Sequence, residues 1–455
     1  MPGTSGSSEH VLAGAGPDGR VAGTEATYAG CMGRRSPLLS VVAVAGLALT
    51  ACSGEGDSAS PPATSSAPAA STTPAGTDDG TATTAPSDDA VSETSSEPTE
   101  EPAAPEALDV EVVLEGLRLP WDVQLLPDGT ALVTERGGRL LAADPTGTPA
   151  EAREVALDLP ELFVGSEAGL MGLAVSPDFE QDRTIFLCHA AQPTGAAPDV
   201  RVTRWTLDED LARATRDGVV VDGLPLTSGR HAGCRLLLLP DDTLLVGTGD
   251  AADGRNPQAL DSLGGKVLAL TTDGGPAEPD GSVEGADPRI LTYGHRNVQG
   301  LAVQPGTDPP VVWSVEHGPS VDDEVNVLEP GGNYGWDPVP GYDESVPMTD
   351  LDAFPDAVEA VWSSGSPTRA TSGAAFLRGG AWGAWEGALA VAELKGSGLT
   401  LLLVDGTEVV DELRPRELDG TYGRLRSLTV DEDGALWVTS SNGEGDVVLR
   451  VTPAG

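Results

Sequence analysis

Lysine is nearly absent from this chain of 455 residues. Only Lys266 and Lys395 occur, and with the arginines they make 26 basic side chains against 71 acidic ones. A nucleic-acid surface needs clustered cations to displace counterions, so a formal net charge of −45 excludes that class of partner. The same scarcity makes each basic residue beside a candidate site conspicuous. Cysteine is scarce too, at Cys31, Cys52, Cys188 and Cys234, and no Cys-x-x-Cys-His occurs, so no haem is attached by that motif. Long apolar runs are missing: the stretch between Arg35 and Cys52 is too short to span a bilayer comfortably. No convincing amphipathic helix is found either.

What is present begins with an address. From Met32 the chain reads MGRRSPLLSVVAVAGLALTAC, the charged, apolar and small-residue order of an export signal, ending in a lipobox-like Leu49-Thr50-Ala51-Cys52. Residues 1–51 are therefore expected to be leader and lipoprotein signal peptide, with Cys52 acylated. That places the mature protein outside the cytoplasm, lipid-anchored to the bacterial cell membrane, with no other membrane contact. Residues 52–108 are Ser, Thr, Ala, Pro and Gly with scattered acids, and no Lys or Arg occurs between Arg35 and Arg118. Such composition cannot bury enough apolar surface to offset ordering entropy, so a disordered acidic tether is expected. Cys188 and Cys234 remain. Export favours a disulfide between them over two packed thiols.

From residue 109 to 455 the texture is β-rich. One unit, an apolar strand, a Pro/Asp/Gly turn and a second apolar strand, recurs at 121–136, 171–190, 234–250, 299–318, 372–394 and 426–443. Six such hairpins, several followed by further strands, predict an all-β, six-bladed β-propeller of four-stranded antiparallel blades. A sandwich does not account for six copies of one hairpin, and a β-helix has shorter, more regular coils.

Unusual polar residues sit at one end of these units. In YGHRNVQGLAVQPGTDPPVVWSVEHGP (293–319) an antiparallel pair brings Arg296, Asn297 and Gln299 to the same edge as Glu316 and His317. In the other units Trp121, Glu167, His231, Arg424 and Arg426 precede or open first strands. Glu135-Arg136, Asp250 and Lys395 follow second strands. The opposite turns carry mostly Pro, Asp and Gly. Convergence on one mouth of the channel marks a candidate site. His231 with Asp250 has the composition of an oriented general base.

These stretches, with LPWDVQLLPDGTALVTERGGRL, HAGCRLLLLPDDTLLVGTGD and EHGPSVDDEVNVLEPGGNYGW, resemble the soluble pyrroloquinoline quinone (PQQ)-dependent aldose/glucose dehydrogenase family from about 111 to 453. The resemblance implies PQQ and calcium as cofactors, an aldose as substrate and an external electron acceptor. It implies that Lys395, Arg424 and Arg426 grip the carboxylates of PQQ and that Arg296 and Asn297 lie at the quinone oxygens. Glu167, Gln299 and His317 complete the cofactor set. His231 takes the proton of the C1 hydroxyl, and Asp250 and Arg296 assist. Calcium is expected on the carbonyls of Gly318 and Pro319, and Glu324 with the Tyr334 carbonyl belongs to a second, structural calcium. The sequence departs from the family pattern at three places. Glu167 and His317 stand where the glucose-specific branch has glutamines, Val298 replaces a proline, and Cys234 replaces a glycine beside His231. Two rival functions on such a propeller are a metal-dependent lactonase and a non-catalytic binding module.

Overall fold

The computed structural model describes residues 102–145, 150–277, 281 and 283–454. Cys52, the leader and nearly all of the expected tether lie outside them. Six four-stranded antiparallel sheets form the blades of a propeller. Each repeat found in the sequence supplies the first and second strands of one blade. These pairs are Pro120–Leu125 with Ala131–Glu135 (blade 1), Leu170–Val175 with Thr184–Ala191 (blade 2) and Arg235–Leu238 with Thr243–Gly247 (blade 3). Blades 4 to 6 follow with Val298–Val303 and Val312–Glu316, Thr371–Phe376 and Leu389–Glu393, and Leu425–Val430 and Leu436–Ser440. Among the described residues helix is confined to a single turn at Phe179–Asp182 and a 3-10 stretch at Gly380–Trp385.

The inner strands are largely apolar on both faces because each sheet is covered on both sides by its neighbours. The buried side chains accordingly fall into six clusters among the described residues, each filling the wedge between adjacent blades. Leu132, Leu140, Leu173, Ile185 and Trp205 join blades 1 and 2, for example. First strands crowd around the axis. A Cβ on Gly300 would lie 2.5 Å from the Ser372 carbonyl of the next blade, so only glycine fits there.

The ring is closed by a strand that the repeats do not contain. Leu108–Leu117 pairs with Asp446–Pro453 as the outermost strand of blade 6, so the start and end of the domain share one sheet. The chain already lies on the propeller before that strand: the Ala103 carbonyl accepts from the Ala384 amide. A register shift near the start of the first strand recurs in five of the six inner hairpins, the exception being blade 3. Bulges re-aim side chains at a sheet end, and here they do so at the mouth where the polar residues gather. Cys188, in the second strand of blade 2, is bonded to Cys234 at the entry to blade 3, with Cα atoms 5.7 Å apart. The expected disulfide is present.

Candidate active site

His231 lies in the turn entering blade 3, at φ 50°, and Cys234 follows at φ 80°. Both are left-handed, a conformation that costs a non-glycine residue energy. The turn is held by backbone contact with the segment that ends the second strand. A Cβ on Gly249 would stand 1.9 Å from the His231 carbonyl oxygen. The next residue, Asp250, is fully buried and meets the imidazole, Nδ1 to Oδ1, at 2.8 Å. Its Oδ2 accepts from Trp336 Nε1 at 2.8 Å and from the Tyr342 hydroxyl at 2.7 Å. With Nδ1–H committed to a carboxylate, Nε2 keeps the lone pair. Burial and the neighbouring Asp250 push the Tyr342 phenol upward, so it stays a donor.

Blade 4 supplies the opposite wall. The Arg296 amide donates to Glu316 Oε2 at 2.9 Å, and Glu316 also holds the buried His295, whose ring stacks on Tyr334. The Arg296 side chain donates to the His317 carbonyl at 2.5 Å and to Glu344 at 2.6 Å, while its Nε is buried without a partner. The Asp250 amide donates to the Arg296 carbonyl, which ties the two walls together.

Glu167 sits at the centre, receiving donors from the His231 amide, Asn297 Nδ2 (3.2 Å) and Gln299 Nε2 (3.1 Å). A carboxylate suits this place because all three of these neighbours are donors. Gln299 Oε1 in turn accepts from Arg426 Nη1 at 3.1 Å. Below, Arg235 bonds Asp122 at 2.8 Å and the Gln299 carbonyl at 2.8 Å and lies over the Trp121 ring, so the axis has a polar floor. Asp122 also binds the Leu173 amide and Ser427, so this floor spans blades 1, 2, 3, 4 and 6.

The cations at this mouth are distinctive in what they lack. Nineteen ion pairs occur among the described residues, yet none includes Arg136, Arg424, Arg426 or Lys395. Burial draws Arg426 down to about 10, opposed by Glu167 and reinforced by Arg235, Arg424 and Arg136. Burial alone lowers Arg424. Lys395 is exposed and touches none of the other site residues by hydrogen bond or ion pair. In so acidic a protein, unpaired guanidiniums in a half-buried cluster form a site for an anion.

The GPSVDDE turn is organised by Asp323, which accepts from the Gly318 and Ala370 amides and from Thr368. The Gly318 carbonyl accepts from His317 Nδ1 at 2.5 Å. Burial, and then Arg296, lowers the His317 imidazole. Glu324 is buried beside Thr349, and burial with the Glu316 charge raises it to about 8. Tyr334 is buried with its hydroxyl on the Val327 carbonyl. No group of three or more His, Cys, Asp or Glu side chains among the described residues is arranged around a metal position.

The structure thus joins His231, Asp250, Arg296, Asn297, Gln299, Glu167, His317 and Arg426 in one cluster with Arg424 at its edge, and leaves Lys395 apart. It adds Tyr342, Trp336 and Glu344, from the long connection between residues 327 and 362, and Arg230, Arg235, Asp122 and Arg136. Arg136 was visible as the end of a second strand. The connection carries no repeat, so nothing in its pattern marked it. A cavity of about 770 Å³ at the other mouth is lined by turn residues such as Pro127 and Pro177 and by the strand residue Trp437, and holds none of these groups.

Comparison with known proteins agrees with this geometry. The chain is 29% identical over 364 residues to the aldose sugar dehydrogenase YliI of Escherichia coli, covering 77% of this chain and 94% of that one. It is 29% identical over 269 residues to quinoprotein glucose dehydrogenase B of Acinetobacter calcoaceticus, covering 53% and 54%. The PQQ-bound aldose sugar dehydrogenase of Streptomyces coelicolor superposes with a TM-score of 0.62 at 29% identity, covering 77% of this chain and all of that one. The family profile described as glucose/sorbosone dehydrogenase matches residues 117–449, and the chain belongs to that family.

Proposed function

We propose that this propeller is a PQQ-dependent sugar dehydrogenase that oxidises aldoses at the C1 hydroxyl to lactones. The observation that carries the reading is the unpaired cluster of Arg424, Arg426 and Arg136 beside the His231–Asp250 pair. A tricarboxylate is the partner that such a cluster fits. Arg424 and Arg426, with Lys395 reaching from outside, hold the carboxylates, and the unsatisfied Nε of Arg296 points to a further acceptor beside Asn297. PQQ held there supplies a two-electron acceptor for the C1 hydride. His231 Nε2 takes the hydroxyl proton while Asp250 keeps the ring in its tautomer and supports the cation that forms. Arg296 and Asn297 place donors where negative charge accumulates. Calcium fits the carbonyl oxygens of Gly318 and Pro319. The Gly318 oxygen now accepts from His317 Nδ1, so calcium binding there requires that imidazole to turn away. Electrons leave to a separate acceptor.

The lactonase reading asks for several carboxylates around one ion, and the binding-module reading leaves the paired base without a task. Titration of the purified domain with PQQ and calcium separates the three. The dehydrogenase acquires a quinone absorption band that aldoses bleach. Failure to bind PQQ in the presence of calcium returns the protein to the binding-module class.

We further propose that the protein works outside the cytoplasm on a lipid anchor at Cys52. The export-like segment supports this, as does a disulfide suited to an oxidising compartment. Cys52→Ala is expected to move the protein from the membrane to the soluble fraction. Equal membrane retention would refute the anchor.

A further inference from the structure

His231, the base proposed above, is carried on a strained turn. His231, Gly233 and Cys234 are all left-handed, at φ 50°, 59° and 80°. So are Ala251 and Ala252, which follow the partner carboxylate Asp250, at φ 58° and 53°. Glycine adopts that conformation freely, whereas each of the other four residues is disfavoured in it by about 5- to 30-fold. The surrounding fold must therefore hold them there. The Cys234 amide donates to the Gly247 carbonyl at 2.7 Å, and the Gly233 amide to Asn297 Oδ1 at 3.1 Å. Glu167 holds the His231 amide.

The Cys188–Cys234 bond adds a covalent tether. Its far end is fully buried in the strand Thr184–Ala191 of blade 2, so the anchor point is fixed by packing. The Cys234 carbonyl is pressed against the same blade, since a Cβ on Gly172 would stand 2.1 Å from its oxygen. The bond thus ties the end of the turn to a neighbouring blade, three residues from the imidazole that meets Asp250 at 2.8 Å. Without it, a cysteine at φ 80° gains by relaxing, and the turn that relaxes is the one that carries His231.

We propose that the Cys188–Cys234 disulfide is a positioning element for the base. It keeps the turn left-handed and so keeps His231 Nδ1 on Asp250. The consequence for turnover rests on the dehydrogenase reading above, while the consequence for the turn does not.

The test uses Cys188→Ala, which leaves Cys234 left-handed without its tether, and the double variant Cys188→Ala/Cys234→Gly. The double variant lacks the bond equally but places at 234 a residue at ease with that conformation. In the cofactor-free domain, the low-field proton resonance of His231 Nδ1–H on Asp250 is identified by its absence in His231→Ala. It is expected in wild type and in the double variant, and is expected to broaden or vanish in Cys188→Ala. In the domain loaded with PQQ and calcium, single-turnover bleaching by glucose should slow about 5- to 30-fold in Cys188→Ala and return toward the wild-type rate in the double variant. The PQQ titration should be unchanged in both, and the melting temperature lowered in both. A bond that serves stability alone gives no such recovery. A wild-type resonance and rate in Cys188→Ala, or a double variant as impaired as the single one, overturns the proposal. Should Cys188→Ala fail to fold, the double variant decides: a retained resonance supports the positioning role and a lost one overturns it. A PQQ-loaded wild type that glucose does not bleach sinks the dehydrogenase reading, and the resonance still decides what the disulfide does.

Discussion

Asp250→Asn isolates what the buried carboxylate does for the base. Asp250 accepts on both sides: Oδ1 from His231 Nδ1 and the Ala252 amide, Oδ2 from Trp336 Nε1 and the Tyr342 hydroxyl. Asparagine must turn its NH2 toward one side. Facing Trp336 and Tyr342, it leaves the indole N–H unmet, although the phenol can rotate to accept. Facing His231, it leaves the Ala252 amide unmet and drives the imidazole proton to Nε2, which removes the lone pair. The two arrangements lose similar numbers of bonds, so both are populated. Even the active one replaces a charged hydrogen bond by a neutral one as imidazolium forms, a difference of about 1–2 kcal/mol. With the inactive fraction added, the barrier rises by about 1.5–3 kcal/mol, or roughly 10- to 150-fold in turnover. His231→Ala should lose more, about 10²–10⁴-fold. The assay is single-turnover bleaching of preloaded PQQ at saturating sugar, with PQQ affinity titrated in parallel. Wild-type bleaching in Asp250→Asn would refute the orienting role. A collapse of PQQ affinity would show that Asp250 is scaffold for the cofactor pocket.

Three further outcomes follow from the structure. Arg426→Ala removes a guanidinium with no carboxylate partner of its own, so the PQQ dissociation constant should rise about 10- to 100-fold with a weaker salt dependence, while turnover at saturation falls less. An unchanged titration curve would separate Arg426 from the cofactor. Glu324 is raised from its ordinary value to about 8, so between those two values the folded chain holds a proton that the unfolded chain releases. Without calcium, stability should therefore fall as pH climbs through that window, by about 3–5 kcal/mol in all. Glu324→Gln should flatten the slope in melting experiments, and calcium at pH 8 should raise the melting temperature of wild type more than that of the variant; equal slopes would refute this. Lys266 Nζ is buried and donates to the carbonyls of Asn256 (2.8 Å), Pro257 (2.9 Å) and Gly264 (2.7 Å). Lys266→Met leaves all three unmet and should cost about 3–5 kcal/mol in denaturant unfolding; a loss under 1 kcal/mol would show that water replaces the ammonium.

The propeller was legible because each blade repeats its inner hairpin with the same Pro/Asp/Gly turn, a pattern set by local strand and turn chemistry. The contact between His231 and Asp250 was legible for the same reason, since the two occupy fixed offsets on one hairpin. Pairing across hundreds of residues leaves no such mark. The strand at 108–117 reads like any other, and nothing local says that its partner is 446–453. Asp122 reads as a strand residue until Arg235, two blades on, is seen to reach it. Tyr342, Trp336 and Glu344 come from a connection without periodicity, whose course is decided by what it packs on. Glu167 and Lys395 show the limit from the other side. Repeat position brought both to the right mouth, but only three-dimensional contacts reveal that one is the hub of the hydrogen bonds and the other stands apart.

The closure of blade 6 has a consequence for how the enzyme is made. The strand at 108–117 is among the first parts of the domain to leave the ribosome, and its partner at 446–453 is the last. Arg424 precedes and Arg426 lies in the first strand of that same blade, so the wall that carries them is not a complete sheet until residues 446–453 have been made. With the cofactor role proposed for these arginines, its capture follows the making of that strand. A nascent protein interrupted between residues 413 and 446 carries five finished blades and a sixth without its closing strand pair.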